Sequence, residues 1–457
     1  MSFIFILYIF FIVLNFINVS YITIPFKVQD YTYGDGDKIV LKYLYKDIFV
    51  KFLVGSPPQK IHLSACLGEY STFIASKEVE EFDEATFNKN ISQTYEAINQ
   101  EPDSFFFQTY RKAIKSKDNW IIEETNTKIN NLNFNLATEL DGNNFYCSYC
   151  EVMTQPGILG LLVAQVKNFE ENITDLNFID QLKEKNLISS YDFFFNFETP
   201  KSGNIIIGSK PDEIEKEKYN ELNYVIMKTS SSNGDIDWSI KFDQVYYGEK
   251  KMKQIKPMIL RIEFGMITGY YEWEYMLINE FFSKYITSKI CFKENINDLG
   301  SYLHYFYCNK NVDLSEFKPF HFIINEFNYS FTLTKDDLFL DVGDKYLFLM
   351  SFGGFGDLIL GYPFLKKYKV IFNQNTKTVG FYLNNSEEKS SFISILRKYI
   401  IIIIILSLIL GCLIFIAFQF YWKNKKNKKN ATELLDDQFN DSYKIEENKI
   451  IDDNIKN

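Results

Sequence analysis

The chain has 457 residues, of which 46% are hydrophobic and 18% aromatic, and its formal net charge is −10. This composition indicates a packed globular protein and excludes a disordered or linker-rich chain. The acidic balance argues against nucleic acid as a main partner, and six cysteines over this length are too few to be the main staple of the fold.

The first twenty residues are predicted to form a secretory signal peptide. Residues 2–20 carry no charge and are mostly apolar, and Ser20 would be the small residue at the cleavage point. No Lys or Arg precedes the apolar run, so an uncleaved N-terminal anchor is the alternative. Residues 21–46 are then predicted to be a short pro-like segment ahead of the first lobe.

From residue 47 to residue 390 the pattern is one of short strands. Runs such as DIFVKFLVG, YDFFFNFET and KYLFLMSF alternate apolar with polar residues or are β-rich, and Gly, Pro, Asn and Asp separate them. Helical patterns are few, and we expect short helices at 174–185, 272–284 and 363–367. The prediction is an all-β protein with small connecting helices, too long for one β-sandwich.

An internal duplication explains that length. Cys66-Leu67-Gly68 follows an apolar strand, and GILG at 157–160 comes later. Likewise Glu263-Phe264-Gly265 follows an apolar strand, and LILG at 358–361 comes later. The repeat distances nearly agree, at 197 residues from 66 to 263 and 201 residues from 160 to 361. Two halves built on one plan predict two like β-lobes, with a cleft between them as the default place for an extended ligand.

Near the C-terminus, residues 399–422 are a predicted transmembrane helix. The stretch is uncharged and, at about 1.5 Å per residue, can cross a hydrocarbon core of about 30 Å. Five lysines between 423 and 429 favour the cytosolic side, against only Arg397 and Lys398 before the span. We therefore expect a single-pass membrane protein of the secretory pathway, at the cell surface or in a lysosome- or vacuole-like compartment. Residues 21–398 would be lumenal or extracellular, and the tail 423–457 cytoplasmic.

The same topology makes Asn-x-Ser/Thr triplets usable as glycosylation acceptors. Such triplets are frequent by chance in an Asn-rich chain, so each one is weak evidence. The four in the predicted ectodomain begin at Asn90, Asn172, Asn328 and Asn384.

Sequence blocks from about residue 47 to residue 383 resemble the pepsin-like aspartic proteases. The block LILGYPFLKKYKVIFNQNTKTVGFYL at 358–383 is similar to the end of that family's catalytic domain and is the most specific match. VGSPPQ at 54–59 resembles the family's Gly-Thr-Pro-x-Gln strand entry, STFIAS at 71–76 resembles Asn-Leu-Trp-Val-Pro-Ser, and GILGL resembles Asp-Gly-Ile-Leu-Gly-Leu. The resemblance implies a bilobal acid-protease fold with lobes at 47–220 and 221–390, and a peptide or protein held in the interlobe cleft. No cofactor and no metal are expected.

The two catalytic positions depart from the family's pattern. Family members carry an Asp-Thr-Gly loop in each lobe, and the two carboxylates share one proton and hold a water between them. Here the motif spacing places Cys66 and Glu263 at those positions, and no Asp is close enough in sequence to replace either. A thiol cannot share a proton with a carboxylate as a matched oxygen pair, so we expect the dyad to be inactive.

The residues that support the dyad in the family are also replaced. The Thr after each Asp is Leu67 in the first loop and Phe264 in the second, and Met266 cannot make the hydrogen bond expected at its position. The flap that closes over substrate carries Tyr-Gly-x-Gly in the family. Tyr110 is the candidate for the flap tyrosine, without the glycines of the hairpin tip, and Tyr95 is the alternative.

Cys66 would need a nearby base to act as a nucleophile. His62 is four residues upstream on the same predicted strand, about 13 Å away, and His304 and His321 fall in second-lobe segments without a motif. We therefore expect Cys66 to be a buried, inert thiol. Poor solvation should raise the pKa of Glu263.

The positions of the other five cysteines indicate different roles. The resemblance implies a disulfide between Cys291 and Cys308, since the family's second lobe often carries one there and an oxidising compartment permits it. Cys147 and Cys150 form a C-x-x-C without a second such pair or a His pair, so a small-loop disulfide and a redox pair stay open and zinc is disfavoured. Cys412 lies within the predicted span.

Three functions stay open at this point. The favoured one is a membrane-anchored pepsin homologue that no longer cleaves and whose cleft binds an extended peptide. The first alternative is an active aspartic-type endopeptidase with an atypical Cys/Glu dyad. The second is a structural or adhesive surface ectodomain with a vestigial cleft.

Overall fold

The computed structural model divides the chain into two units, Met1–Leu383 and Asn384–Asn457. It describes residues 20–30, 40, 43–79, 85–99, 103–104, 110–140, 155–162, 177–229, 237–253, 256–298, 301–353, 358–383, 418–419 and 421. No helix within these ranges is long and apolar enough to cross a membrane. Several sequence predictions lie outside the described residues: the signal peptide except Ser20, the span 399–422 except Phe418, Gln419 and Tyr421, and Cys147, Cys150, Asn172, Asn384 and Cys412.

The first unit is built mainly from strands. The strands up to residue 228 are β1 (Ile22–Asp30), β2 (Lys46–Val54), β3 (Gln59–Cys66), β4 (Phe73–Ala75), β5 (Glu96–Ala97), β6 (Asp103–Ser104), β7 (Tyr110–Ile122), β8 (Thr127–Leu140), β9 (Gly157–Gly160), β10 (Asp192–Thr199), β11 (Ser202–Ile207) and β12 (Tyr224–Lys228). Those that follow are β13 (Ser239–Ile240), β14 (Gln244–Tyr247), β15 (Lys250–Met252), β16 (Met258–Leu260), β17 (Ile267–Gly269), β18 (Cys291–Asp298), β19 (Ser301–Asn309), β20 (Phe320–Ile324), β21 (Tyr329–Leu333), β22 (Phe339–Asp341), β23 (Lys345–Phe352), β24 (Leu358–Leu360), β25 (Val370–Asn373) and β26 (Thr378–Tyr382).

Short helices connect the strands, as the sequence predicts. They are α1 (Phe178–Glu184), α2 (Pro211–Ile214), α3 (Tyr271–Leu277), α4 (Ser283–Thr287), α5 (Lys335–Leu338) and α6 (Tyr362–Lys367), with a π-helical turn at Ile278–Phe282 and 3-10 turns at Glu221–Asn223, Leu314–Glu316 and Asn325–Phe327. The three predicted helices are present with different bounds. The first begins at Phe178 because the side chain of Asn177 caps it, accepting hydrogen bonds from Ile179 N (2.9 Å) and Asp180 N (3.2 Å).

The strands form three sheets. A 14-stranded sheet runs in the order β12-β26-β25-β10-β11-β1-β2-β3-β9-β4-β8-β7-β5, with β6 paired to β7. An 8-stranded sheet (β13-β16-β24-β17-β23-β19-β18, with β22 on β23) and a 4-stranded sheet (β15-β14-β20-β21) come from the second half of the chain. Because β12, β25 and β26 from the second half join β10 in the first sheet, this sheet connects the two halves. The mostly-β class predicted from the sequence is confirmed.

The segment ahead of the first lobe is part of this connecting sheet. β1 lies between β11 and β2, and its side chains Ile22, Ile24 and Phe26 are buried in the main core. The alternation of β-branched and polar residues in ITIPF explains this strand, since every second side chain faces the core. Residues 21–30 are therefore integrated into the fold rather than set apart from it.

The predicted duplication appears as one four-strand arrangement used twice. In the first half β3 pairs parallel with β9, β9 pairs antiparallel with β4, and β4 pairs parallel with β8. In the second half β16 pairs parallel with β24, β24 pairs antiparallel with β17, and β17 pairs parallel with β23. The central strands β9 and β24 are buried along their whole length, which is why they read as continuous apolar runs.

A buried tryptophan connects the two halves. Trp238 packs its ring against Phe193 at 5.8 Å and Phe372 at 5.1 Å between ring centroids, and its indole N–H donates to Leu161 O at 2.8 Å. Aromatic packing with a satisfied N–H is the usual way such a ring is buried. The contact joins the end of β9 to the start of the second half.

Candidate active site

The first loop begins where strand β3 ends. Cys66 is the last residue of β3 and lies opposite Gly160 of β9, and Leu161 N donates to Cys66 O at 2.9 Å. Gly160 is required by close approach, because a Cβ there would lie 2.5 Å from Ser71 O. The side chain of Cys66 is 3% exposed, so the thiol faces the interior of the junction rather than bulk solvent.

The second loop leaves its strand earlier. β16 ends at Leu260, three residues before Glu263, and a turn follows in which Phe264 N donates to Arg261 O at 3.3 Å. Residues 44–46 then hold the loop: Lys46 N donates to Glu263 O at 2.9 Å, and Gly265 N donates to Leu44 O at 2.8 Å. Because β16 ends at Leu260, Arg261 and Glu263 both belong to the second loop, and their side chains can contact the first loop.

The two loops meet at the positions that the motif spacing picked out. The thiol of Cys66 donates to Glu263 Oε1 at 3.6 Å, and Leu67 N donates to Glu263 Oε2 at 3.3 Å. The carboxyl group of Glu263 is therefore shared between a weak sulfur donor and a main-chain N–H of the opposite loop. Of the two dyad positions, only the one at Glu263 carries an acid.

Arg261 also enters the junction, and the motif comparison missed it. Its guanidinium donates to Leu67 O at 3.1 Å and to Asp237 Oδ1 at 2.8 Å, and its Nε lies 3.7 Å from Glu263 Oε1. The residue is 3% exposed. The signal was present in the sequence, since an Arg interrupts the otherwise apolar run MIL-R-I two residues before Glu263. A buried cation needs paired anions, so Arg261 should have been read together with the nearby acids.

Burial and neighbouring charges shift the pKa values of Glu263 and Arg261 in opposite directions. Burial raises the pKa of Glu263, as the sequence predicts, while the neighbouring charge of Arg261 opposes that rise. Burial also disfavours the charge on Arg261, but Asp237 and Glu263 outweigh it and keep the pKa of Arg261 above its ordinary value. The centre of the site is therefore a guanidinium held by acids from its own lobe and by a carbonyl of the other lobe.

A second buried carboxyl lies in the first loop and was also missed. Glu69 is 8% exposed, and its Oε1 accepts hydrogen bonds from Tyr70 N (2.9 Å) and Ser71 N (3.1 Å). Burial raises the pKa of Glu69 to about 7, although the two N–H donors and Arg261 act against the shift. Glu69 therefore supports its own loop and changes its ionisation near neutral pH.

The flap region is described only in part. β6 and β7 pair antiparallel through Asp103↔Ala113 and Ser104↔Lys112. Tyr110 is the first residue of β7, opposite Leu140 of β8, and its role as the flap tyrosine stays a prediction. Tyr95, the alternative, packs its ring against Phe87 at 5.9 Å.

The contacts found for the three histidines are with residues other than Cys66. His62 lies on β3, with its ring 5.9 Å from that of Phe49, and burial lowers its pKa. His304 Nδ1 is 2.9 Å from Glu274 Oε2, and His321 Nδ1 is 3.1 Å from Thr332 Oγ1. These contacts give no base to Cys66, which supports the interpretation of an inert thiol.

The other predicted sites are partly described. Cys291 and Cys308 are joined by a disulfide at one end of the β18–β19 ladder, where they are directly opposite. Asn90 and Asn328 are exposed, as glycosylation acceptors must be, and Asn328 has the left-handed backbone (φ 48°) common for Asn in turns. Among the described residues, no group of three or more His, Cys, Asp or Glu side chains is arranged to hold a metal ion.

The architecture and the junction together define a class. A mostly-β chain with a repeated four-strand unit, whose two like loops meet across a boundary between halves, is consistent with the pepsin-like fold. A model of the eukaryotic aspartyl protease family matches residues 48–383, most of the chain, and the chain therefore belongs to that family. A comparison with curated protein sequences returns no match.

Proposed function

We propose that this chain is a non-cleaving member of the aspartyl protease family, whose interlobe cleft binds an extended peptide without hydrolysing it. The observation that carries the proposal is the guanidinium of Arg261, which bonds to Leu67 O at 3.1 Å and lies 3.7 Å from Glu263 Oε1. The guanidinium lies beside the only carboxyl group at the two dyad positions, where the family's mechanism needs two carboxyl groups and a water.

The chemistry explains why this junction does not activate water. Aspartic proteases split the pKa values of two like acids by mutual repulsion, so that one acts as base while the other donates a proton. Cys66 replaces one acid with a weak donor, and Arg261 supplies a permanent positive charge that neither accepts a proton nor tolerates one nearby. Attraction between unlike charges has replaced the repulsion that tunes the family's dyad.

Peptide binding is the part of the family's function that needs no dyad. An extended peptide is held mainly by main-chain hydrogen bonds and side-chain pockets, and the family's cleft lies between the two lobes. The paired loops and the connecting sheet that define such a cleft are present in this chain. Binding can therefore persist where hydrolysis is lost.

The test is an acidic peptide-library cleavage assay on the purified full-length chain, with retention on immobilised pepstatin as a separate measure of binding. We expect retention without turnover. The variant Cys66→Asp/Arg261→Val/Glu263→Asp removes the cation and restores two acids, and Cys66→Asp/Glu263→Asp is its matched control with Arg261 in place. We expect peptide turnover to appear in the triple variant and not in the double variant.

Two results would replace the proposal by its alternatives. Turnover by the wild-type chain that Glu263→Gln abolishes would establish an active endopeptidase with a Cys/Glu dyad. If the chain is not retained on pepstatin and does not bind peptides, a structural or adhesive ectodomain is the remaining alternative.

We also propose that the chain is anchored in a membrane of the secretory pathway by residues 399–422. The support is the uncharged apolar stretch and the lysines that follow it. The full-length chain should stay in the pellet after alkaline extraction of membranes, and a chain ending at residue 398 should not. Release of both chains by alkali would refute the anchor.

A further inference from the structure

Strand β12 ends the 14-stranded sheet, and among the described residues its only strand neighbour is β26. Asn223 O accepts from Leu383 N at 2.9 Å, and Thr229 N donates to the residue just before β26 at 3.2 Å. Main-chain groups alternate in direction along an antiparallel strand, so the N–H and C=O groups of Ile226 and Lys228 point away from β26. In the part of the chain that the structure describes, the outer side of β12 is therefore a free sheet edge.

This edge lacks the features that usually protect one, which are shortness, charge, proline or a covering group. β12 has five residues (YVIMK), its one charge is at the end, and Ile226 at its centre is 54% exposed. Of the other strands that end the sheets, β5, β13 and β15 have two or three residues, and β18 contains Lys293 and Glu294. In β21 the hydroxyl of Tyr368 accepts from Thr332 N at 2.6 Å and donates to Thr332 O at 2.8 Å.

The sequence of β12 is suited to antiparallel pairing with itself. Pairing centred on Ile226 places the Ile226 residues of two copies opposite each other and Tyr224 opposite Lys228, so that outward main-chain groups meet. Ile226 N and Lys228 N of each copy then donate to Ile226 O and Tyr224 O of the other. Tyr224 N is already satisfied within its own chain, because it donates to Glu221 O. No two like charges lie directly opposite each other, an arrangement that would destabilise the pair.

The charges at the two ends of this segment are complementary in the same arrangement. Glu221 begins the 3-10 turn before β12, Lys228 is the last residue of β12, and both are exposed. Antiparallel pairing brings Lys228 of one copy beside Tyr224 of the other, three residues after Glu221. At about 2 Å per residue in a 3-10 turn this is about 6 Å, which an extended lysine side chain spans. Opposite charges therefore meet at both ends, which favours a second copy in this register as the occupant.

We propose that β12 is a homodimerisation edge, at which two copies of this chain pair antiparallel about a two-fold axis at Ile226. The connecting sheet of one copy continues into that of the other, through an isologous contact of the kind found in most homodimers. On the other face of the strand pair, Val225 of one copy lies opposite Met227 of the other, and both side chains already pack against the main core. A contact of this length buries less than a standard interface, so we expect a weak dimer with a Kd on the order of 100 µM.

Cysteine cross-linking of the full-length chain tests the register. Ile226→Cys places the Cα atoms of the two introduced cysteines about 5.5 Å apart, within the range that a disulfide can bridge. Lys228→Cys is the matched control, because its two copies are offset by four residues, about 13 Å along the strand, and cannot be bridged. Mild oxidation should give a disulfide dimer with Ile226→Cys and several-fold less with Lys228→Cys. Equal yields from the two variants, or a yield from Ile226→Cys no higher than that of the wild type, would overturn the proposal.

Sedimentation equilibrium of the full-length chain in detergent measures the affinity. Ile226→Lys places like charges opposite each other at the axis and should weaken the dimer at least about 10-fold. The variant should fold, because the side chain of Ile226 is exposed and its main-chain groups do not bond to β26. Ile91→Lys changes an isoleucine of similar exposure (50%) outside β12 and should dimerise as the wild type does. A wild-type chain that is monomeric at about 100 µM, or a dimer that Ile226→Lys leaves unchanged, would overturn the proposal.

Discussion

The two loops that meet at the junction are built on one plan but hold their charges differently. In the first loop β3 continues to Cys66, and the only carboxyl is Glu69, which accepts from the N–H groups of its own loop. In the second loop β16 ends at Leu260, and Arg261 and Glu263 both point their charged groups at the opposite lobe.

Residues at corresponding positions of the two loops differ in type and in what they contact. With the 197-residue offset of the dyad positions, Arg261 corresponds to Ser64 and Met266 to Glu69. Ser64 donates to Asp47 Oδ1 at 2.7 Å within the first lobe, whereas Arg261 reaches across to Leu67 O. The paired strands therefore keep the loops in place without the family's acids. In the first lobe, Glu69 is a carboxyl that N–H groups of its own loop hold. In the second lobe, Arg261 and Glu263 form an ion pair within the lobe, and both also hydrogen-bond to Leu67 of the first lobe.

The largest expected effect comes from removing the cation of the second loop. Arg261→Met keeps the aliphatic stem but leaves Glu263 and Asp237 without their shared partner in a buried site. We expect the free energy of unfolding to fall by about 3–5 kcal/mol, the usual cost of breaking a buried ion pair from one side. Urea unfolding followed by tryptophan fluorescence measures it.

The control for that variant removes the charge that Arg261 leaves behind. Arg261→Met/Glu263→Gln should recover part of the lost stability, since a neutral amide costs less to bury than a lone carboxylate. A loss below about 1 kcal/mol in the single variant would mean that the ion pairs of Arg261 contribute little to the stability of the fold.

The next effect is the pH dependence of the first loop. The pKa of Glu69 is about 7 in the folded chain against an ordinary value of 4.5, so the folded state holds this proton more tightly than the unfolded state does. The contribution of Glu69 therefore makes the free energy of unfolding fall as pH rises from about 4.5 to about 7, by up to about 3 kcal/mol. Glu69→Gln keeps an acceptor for Tyr70 N and Ser71 N and should remove this slope.

Urea midpoints at about pH 5 and about pH 8 compare the wild type with Glu69→Gln. Glu96→Gln, an exposed carboxyl on β5, is the control and should keep the wild-type slope. Parallel pH profiles for Glu69→Gln and the wild type would show that Glu69 does not titrate in this range.

The smallest effect concerns the first-lobe counterpart of Arg261. Ser64→Ala removes one hydrogen bond to Asp47, which also accepts from Gln155 Nε2 at 3.0 Å. The expected loss is about 1 kcal/mol, several-fold less than for Arg261→Met. Ser64→Thr keeps the hydroxyl and should restore most of it. Losses of similar size at Ser64 and Arg261 would erase the distinction between the two loops.

Much of the fold could be predicted because its signals are local. The short strand runs and the helical patterns at 174–185, 272–284 and 363–367 led to elements that are present. The repeat of apolar-Gly turns predicted two halves built on one plan, and it is a local signal because Gly160 and Gly361 are needed where chains approach closely. Helix bounds were less accurate because capping and packing, rather than periodicity, set the ends.

The candidate site could be predicted only at the positions that a motif marks. Spacing from VGSPPQ and LILG led to Cys66 and Glu263, and these residues are in contact. Arg261 and Asp237 belong to no motif, and Asp237 lies 24 residues before Arg261 in the chain. The Arg that interrupts the apolar run indicates a buried charge, but the acid with which it pairs depends on how distant parts of the chain come together.

Residue order and periodicity alone are enough to establish that this chain is mostly β, that its two halves follow one plan, and that neither dyad position is an aspartate. They do not reveal that a guanidinium lies beside the remaining carboxyl, or that Glu69 is buried enough to titrate near neutral pH, both of which are known from the folded structure. The physical reason is that solvation and charge pairing depend on which groups are brought together from distant parts of the chain, and on how much water the surrounding packing excludes.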